Sequence, residues 1–294
     1  MKHPELCLYE VNNRVATLTF NRPDKLNSMI GNMEYAYFER LMQAEADDDV
    51  SAIVVTGAGK GWCPGADLAY TPGEGDLPLP NGVIPNSMPM AIRKPTIAAI
   101  NGACAGAGFG HAMMLDFRIA STTAKFTTAF AQRGLIAEYG LAWLLPQIVG
   151  RQVATDLLLT SRVATGLEMA ELGLVNRAVP VEQVLDAAMA LADHLANNVS
   201  PASMATIKHQ LLIEPEMNAA RAFESSNSLM VESFSGDDLR EGVMSFLEKR
   251  PANFAPLGSG STFSWMGLDE QAVEEVLAES GETDEGDDVG EEQR

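Results

Sequence analysis

Short apolar segments separated by polar turns predict alternating strands and helices before residue 180. Residues 6–10 and 15–20 predict two strands that form a hairpin, with a turn at Asn12 and Asn13. Apolar runs at 52–55 and 96–100 have the length of buried strands, and residues 32–47 repeat apolar side chains at helical spacing. Weaker patterns predict strands at 117–121, 125–126 and 175–179 and helices at 66–70, 112–115, 141–149, 151–159 and 166–172. Strands that alternate with helices are typical of an α/β core with a parallel sheet.

Beyond this core the apolar spacing is helical throughout. Residues 181–197 predict an amphipathic helix, and three further helices are predicted at 201–212, 216–234 and 237–249. From residue 259 the character changes, and residues 264–294 carry twelve acidic side chains and one basic one. Such a segment cannot bury a core, so its end is expected to be disordered. We therefore predict an α/β core at 1–198, a helical region at 199–258 and an acidic tail at 259–294.

The composition of the chain reduces the range of functions that are consistent with the sequence. A formal net charge of −20 disfavours nucleic acid as a partner. No apolar run is long enough for a membrane helix, and the first residues lack the apolar segment of a signal peptide. The three cysteines are widely spaced, which is typical of a reducing compartment and indicates a cytoplasmic protein. His and Cys show no metal-ligand spacing, so no metal is expected.

Two glycine-rich loops carry the candidate chemistry. Residues 94–114 read as a strand, a turn with Gly102, Gly106, Gly108 and Gly110, and a helix, which aims free amides at a phosphate or an oxyanion. A dinucleotide site is one interpretation, but the Tyr-x-x-x-Lys of such dehydrogenases is absent. The other interpretation is an oxyanion site, and it requires a partner loop. Residues 57–68, which follow the strand at 52–55, supply one.

Several short motifs occur in order along the chain: Asn21-Arg22-Pro23 with Lys25 and Asn27, Gly65-Ala66-Asp67-Leu68, Lys94-Pro95, Asn101-Gly102, Gly106-Ala107-Gly108 and Gly173-Leu174-Val175. In this combination the chain resembles the crotonase family of enoyl-CoA hydratases and isomerases over roughly residues 5–255. The resemblance implies a spiral of ββα units and an acyl-CoA substrate, with coenzyme A as part of that substrate and no separate cofactor. It also implies a homotrimer or a dimer of trimers. The backbone amides of Ala66 and Ala107 would form the oxyanion hole.

The acid and base groups differ from those of the family's hydratases. Where these hydratases have two glutamates, this chain has Gly110 and Phe130, neither of which can transfer a proton. Glu138, just before a predicted helix, matches the single carboxylate of the Δ3,Δ2-enoyl-CoA isomerases. It could instead be a solvated residue of a first helical turn. His111 adjoins Gly110, but one residue along a helix turns a side chain by about 100°, which favours packing.

Several other residues are substrate-binding candidates by the same resemblance. Residues 71–90, rich in proline and glycine, are either a flap over the acyl group or a surface insertion. Cys63 could be a nucleophile or a space-filling residue. By their charge, Lys25, Arg22, Lys208 and Lys249 are candidates for the CoA phosphates or solvated surface residues, and only Lys25 is favoured by the resemblance of its motif to the family's. The substrate-binding candidates are Lys25, Gly65, Asp67, Leu68, Gly106, Gly108, Gly110, Phe130 and Tyr139.

Three functions remain open from the sequence. The leading one is isomerisation of an enoyl-CoA double bond through an enolate, with one glutamate as the base. The second is a hydratase or another lyase in which Glu138 works with a water molecule. The third is a catalytically silent subunit that binds acyl-CoA.

Overall fold

Seven strands lie where the apolar runs predict them, apart from shifts of a few residues at their ends, whereas the two-residue strands at 104–105 and 164–165 were not predicted. A computed structural model describes residues 3–70 and 86–258 of the 294-residue chain. The predicted tail at 259–294 and most of the 71–90 segment lie outside these residues. The strands, in chain order, are β1 Cys7–Asn12, β2 Val15–Phe20, β3 Ala52–Gly57, β4 Thr96–Ile100, β5 Cys104–Ala105, β6 Phe117–Ser121, β7 Lys125–Thr127, β8 Ala164–Thr165 and β9 Arg177–Val179.

The main sheet has the order β1-β2-β3-β4-β6-β9. β1 and β2 form the predicted antiparallel hairpin, and every later neighbour in this sheet is parallel. The hairpin turn falls at Asn13 and Arg14, which both have positive φ, one residue later than predicted. A smaller sheet has the order β5-β7-β8. Both faces of the main sheet are covered, which explains why β3 and β4 are uninterrupted apolar runs.

Helices cover the two faces of the main sheet unequally. On one face Ala188, Ala192 and Ala196 of α6 pack against Val54 and its neighbours in the sheet. The other face holds the larger core, which includes side chains of α1, α3 and α4. The helices are α1 Gly31–Ala46, α2 Met88–Ala91, α3 Ala107–Met114, α4 Leu141–Thr160, α5 Gly166–Glu171, α6 Val184–Asn198, α7 Pro201–Ile213, α8 Ala219–Ser233 and α9 Asp237–Glu248.

These elements confirm the predicted α/β class with a helical C-terminal region. The two helices predicted at 141–149 and 151–159 are one element, α4, interrupted at Gly150, whose φ of 76° is not helical. The helix predicted at 66–70 is wrong. There Ala66 forms a bridge with Met29, which donates to the carbonyl of Gly65 and accepts from the amide of Asp67, and residues 68–69 form a turn. In the described part of the chain, no helix has both the length and the apolar content required to cross a membrane.

Candidate active site

Two asparagines of the family-like motifs hold the first glycine loop in shape. The side-chain amide of Asn27 donates to the carbonyls of Ala58 and Gly61 at 2.9 and 2.8 Å. The amide of Asn101 donates to the carbonyls of Gly57 and Gly59 at 2.9 and 3.0 Å. These four bonds supply donors to the carbonyls of a loop that has no regular structure of its own, and so they fix its shape. Both asparagines therefore shape the backbone that precedes Ala66.

The two glycine loops lie in backbone contact. Cys63 accepts from the amide of Ala105 and donates its own amide to the carbonyl of Ala103, at 3.0 and 2.9 Å. A Cβ atom built on Gly65 would lie 3.6 Å from Cα of Gly106. Both glycines have positive φ, 106° and 49°, which a side chain would strain. The backbone conformation therefore favours glycine at both positions, and at Gly65 a Cβ atom would also lie only 3.1 Å from the carbonyl oxygen of Ala105.

The residues that follow these glycines are the predicted oxyanion donors. Ala107 is the first residue of α3, so its amide belongs to the unpaired first turn of a helix. Ala66 forms a parallel bridge with Met29, and the two hydrogen bonds of this bridge are made by the carbonyl of Gly65 and the amide of Asp67. The amide of Ala66 therefore faces away from the bridge. Within residues 3–70 and 86–258, neither amide donates a hydrogen bond. The amides of Ala66 and Ala107 thus make no hydrogen bond in the described part of the chain, and these two residues directly follow two glycines, Gly65 and Gly106, that pack against each other.

Glu138 lies in the turn before α4. It is half-buried, and its carbonyl accepts from the amide of Leu141 at 3.1 Å. No described residue forms a hydrogen bond or ion pair with its carboxylate. A solvated helix-start glutamate would be fully exposed, whereas this one is partly enclosed.

Tyr139 occupies the space beside Gly110. A Cβ atom built on Gly110 would lie 2.6 Å from Cγ of Tyr139, so the ring packs directly on the glycine. Burial, together with the nearby charges of Glu34 and Glu138, raises the pKa of the Tyr139 hydroxyl well above its usual value. The ring also lines a cavity of about 440 Å³, together with Met90, Met114, Trp143, Leu144 and Leu212 among others. Tyr139 therefore contacts Gly110 of α3 and also lines an apolar cavity.

His111 faces the interior, as its helical position predicts. It is 0% exposed, and its Nε2 lies 2.8 Å from Oε1 of Glu34, which is 1% exposed. Glu34 was not singled out from the sequence, because the apolar spacing of α1 does not distinguish one buried polar position from the exposed ones. Its nearness to His111 depends on how α1 packs against α3, which no local pattern encodes.

Several predicted binding residues have structural partners instead. Arg22 donates to Asp67 at 3.0 Å and to the Ser28 carbonyl, so both charges are used within the chain. Lys208 donates to Asp116 at 2.5 Å and to the Lys94 carbonyl at 2.8 Å.

The remaining candidates divide between the surface and the interior. Lys25 is exposed, Leu68 is 78% exposed, and Phe130 is buried in the core. Lys249 ends α9 with a left-handed backbone. Gly108 packs on the carbonyl of Cys63.

The structure favours the space-filling role for Cys63. Its thiol is fully buried, and burial raises its pKa to about 12. The thiol therefore stays protonated and is a poor nucleophile. In the described residues, no group of three or more His, Cys, Asp or Glu side chains could hold a metal ion.

Comparison with known proteins identifies the family. The family model for enoyl-CoA hydratase/isomerase matches residues 10–256, so the chain belongs to that family. The chain is 35% identical to the 1,2-epoxyphenylacetyl-CoA isomerase of Escherichia coli in an alignment of 264 residues that covers 85% of this chain and 98% of that protein. It is 37% identical over 199 residues to the probable enoyl-CoA hydratase EchA12 of Mycobacterium tuberculosis, covering 64% of this chain and 70% of that protein.

Solved structures agree with this assignment. An enoyl-CoA hydratase from M. tuberculosis superposes with a TM-score of 0.78 at 27% identity, covering 85% of this chain and 99% of the other. The enoyl-CoA hydratase EchA12_1 of Mycobacterium marinum is 40% identical, with a TM-score of 0.63, and covers 72% of this chain and all of the other. The predicted crotonase-like fold is therefore confirmed. The protein is an enzyme of the enoyl-CoA hydratase/isomerase family that acts on acyl-CoA thioesters.

Proposed function

We propose that this enzyme isomerises the double bond of an enoyl-CoA, with Glu138 as its single base. The proposal rests on the difference between positions 110 and 138, only one of which carries a carboxylate. At position 110 a glycine is covered by the Tyr139 ring, which leaves no room for a second carboxylate. At position 138 a half-buried carboxylate has no partner among the described residues. One carboxylate is sufficient for a reaction that moves a single proton between two carbons.

The proposed reaction has two proton transfers. The thioester carbonyl of a 3-enoyl-CoA accepts hydrogen bonds from the amides of Ala66 and Ala107. Glu138 removes a proton from C2, and the electron pair moves onto the thioester oxygen as a dienolate. The same carboxyl group returns the proton at C4, so the double bond moves from C3–C4 to C2–C3. Each oxyanion donor would lower the barrier by about 3–4 kcal/mol.

The main alternative is hydration of a 2-enoyl-CoA, with Glu138 activating a water molecule. The names of the mycobacterial relatives favour it, because they are described as enoyl-CoA hydratases. The E. coli relative, described as an isomerase, supports the first proposal. A subunit that binds acyl-CoA without turnover is the third possibility.

Two assays on the same preparation separate these functions. Short- and long-chain 3-enoyl-CoA thioesters report isomerisation, and the matching 2-enoyl-CoA thioesters report hydration. Turnover of the 3-enoyl series alone supports the proposal, and turnover of the 2-enoyl series alone would replace it with hydration. Binding of both series without turnover would identify a silent subunit.

The helical C-terminal region supports a further proposal, a homotrimer or a dimer of trimers. Helices α7, α8 and α9 surround an open groove of about 930 Å³. α8 has no buried residue, and large apolar side chains on α8 and α9 are exposed, including Phe223, Val231 and Phe246. Exposed apolar surface of this extent is typical of a protein–protein interface. The resemblance to the crotonase family implies another copy of this chain as the occupant.

A further inference from the structure

Three side chains from separate parts of the chain meet at Tyr139, the residue that follows the candidate base. Glu34 of α1 accepts a hydrogen bond from the Tyr139 hydroxyl at 3.5 Å, and the same oxygen lies 2.8 Å from Nε2 of His111. The His111 ring makes edge contacts with the rings of Tyr139, Tyr37 and Phe38, with centroids 5.2, 5.3 and 5.9 Å apart. A buried carboxylate is costly unless it is bonded, so this cluster needs all of its partners.

The backbone of Tyr139 is in an unusual conformation. Its φ is +55°, a left-handed value that a bulky side chain adopts rarely, and the following Gly140 also has φ of +66°. Such a residue persists only where the surroundings fix it more strongly than its own preference. The ring supplies that fixation through its packing on Gly110 and its contact with Glu34 and His111. Tyr139 is thus held by its side chain in a conformation that its backbone disfavours.

Glu138 immediately precedes Tyr139 in the chain. The direction of its side chain follows from the backbone at 138 and 139, and no described residue forms a hydrogen bond or ion pair with its carboxylate. The position of the carboxylate therefore depends on the anchored ring next to it. The exact position of the Glu138 carboxylate matters, because a misplacement of a catalytic group by about 1 Å can lower the rate on the order of 10²-fold.

We propose that Glu34, His111 and Tyr139 form a positioning cluster that fixes the turn at 138–140 and so aims the Glu138 carboxylate at the substrate. This inference rests on the proposed role of Glu138 as the base. The cluster itself does not transfer the substrate proton. His111 is 0% exposed, Glu34 is 1% exposed, and Tyr139 keeps its proton because burial raises the pKa of its hydroxyl.

A double-mutant cycle with Glu138→Gln tests this proposal. The probes are a 3-enoyl-CoA for turnover and hexanoyl-CoA, which cannot isomerise, for binding. Tyr139→Gly removes the ring but tolerates the left-handed backbone, and Glu34→Gln keeps the shape of the side chain but removes its charge. Each should lower kcat by about tenfold or more and leave the hexanoyl-CoA affinity within about threefold. In the Glu138→Gln background, the same changes should lower kcat no further, because there is no base left to position.

Matched controls exist elsewhere in the chain. Tyr9 donates to Asp47 at 3.4 Å, so Tyr9→Phe removes a similar tyrosine–carboxylate bond on the hairpin. Glu45 is another buried glutamate of α1, paired with Arg93, so Glu45→Gln controls for the loss of a buried charge. Both controls should retain wild-type kcat.

The outcomes separate this inference from the proposed function. If Glu138→Gln alone keeps wild-type turnover, the proposed base is wrong. If Glu138→Gln is inactive but Tyr139→Gly and Glu34→Gln both turn over at the wild-type rate, only the positioning cluster is wrong. Losses that remain fully additive with Glu138→Gln would also overturn it, because they would reflect a smaller folded fraction. If Tyr139→Gly does not fold, the Glu34→Gln cycle decides the matter alone.

Discussion

The ring of Tyr139 lies directly on Gly110, with Cγ 2.6 Å from the place where a Cβ atom would be. A carboxylate at position 110 is therefore excluded by the ring as well as by the sequence. This contact connects the first turn of α3, which begins at the proposed donor Ala107, to the turn that carries Glu138.

The contact predicts that Gly110→Ala destabilises the protein. In an exposed helix this change usually stabilises by about 1 kcal/mol. Here the added methyl group would push against the Tyr139 ring, and overpacking of this kind costs about 1–3 kcal/mol. Gly242→Ala in α9 is the control, since its Cβ would lie 3.8 Å from Phe254 and should be neutral or stabilising. Chemical denaturation measures both, and a Gly110→Ala protein as stable as wild type would contradict the close contact.

The Arg22–Asp67 pair predicts an acid-dependent stability. The hydrogen bond from Arg22 lowers the pKa of Asp67 below its ordinary value of 3.8. A lowered folded-state pKa means that the pair stabilises the fold fully above about pH 4, and that this contribution is lost as pH falls through the folded-state pKa. The stability difference between wild type and Asp67→Asn should therefore shrink below pH 4. A difference that stays constant in acid would show that the charge on Asp67 is irrelevant.

Lys208 should anchor α7 to the core rather than bind coenzyme A. Its ammonium group contacts Asp116, which also accepts from the amide and hydroxyl of Thr96 at 2.7 and 2.9 Å. Lys208→Met should lower the free energy of unfolding by about 1–3 kcal/mol, because a part-buried carboxylate loses its charged partner. Hexanoyl-CoA affinity should stay within about twofold of wild type, as it should in the exposed control Lys125→Met. A selective tenfold loss of affinity in Lys208→Met would assign this lysine to the ligand.

The exposed faces of α8 and α9 predict a stable assembly. Light scattering at micromolar concentration should give the mass of a trimer or of two trimers. Phe246→Asp should lower that mass, because it places a charge on a side chain that is 81% exposed in the single chain. Val11→Asp on the hairpin is the control. A wild-type protein that remains a monomer at micromolar concentration would contradict the proposed assembly.

The apolar pattern predicted most of the fold because buried strands and amphipathic helices have strong local signals. β3, β4 and α1 are runs whose burial follows directly from their composition. The helix predicted at 66–70 is wrong because the backbone at Ala66 pairs with Met29, which is distant in sequence. Local propensity cannot anticipate such a pairing.

The candidate site likewise contains residues that local motifs predict and residues that depend on tertiary packing. Glycine loops and Glu138 could be recognised from motifs, since their chemistry requires particular residues at fixed spacing. Glu34 and the role of Tyr139 could not, because they depend on how three elements pack together. Arg22 and Lys208 were candidates for phosphate by charge alone, and only the structure shows the carboxylates with which they pair.

The most direct test of the proposed mechanism is turnover of a 3-enoyl-CoA by Glu138→Gln, measured beside Glu138→Asp and wild type. The amide keeps the size and shape of the side chain but cannot accept the proton. Turnover should fall by about 10²-fold or more, the lower end of general-base contributions, while hexanoyl-CoA affinity stays within about threefold. Glu138→Asp should retain part of the activity, since a carboxylate remains with a shorter reach. Turnover by Glu138→Gln within about threefold of wild type would contradict the assignment of Glu138 as the base.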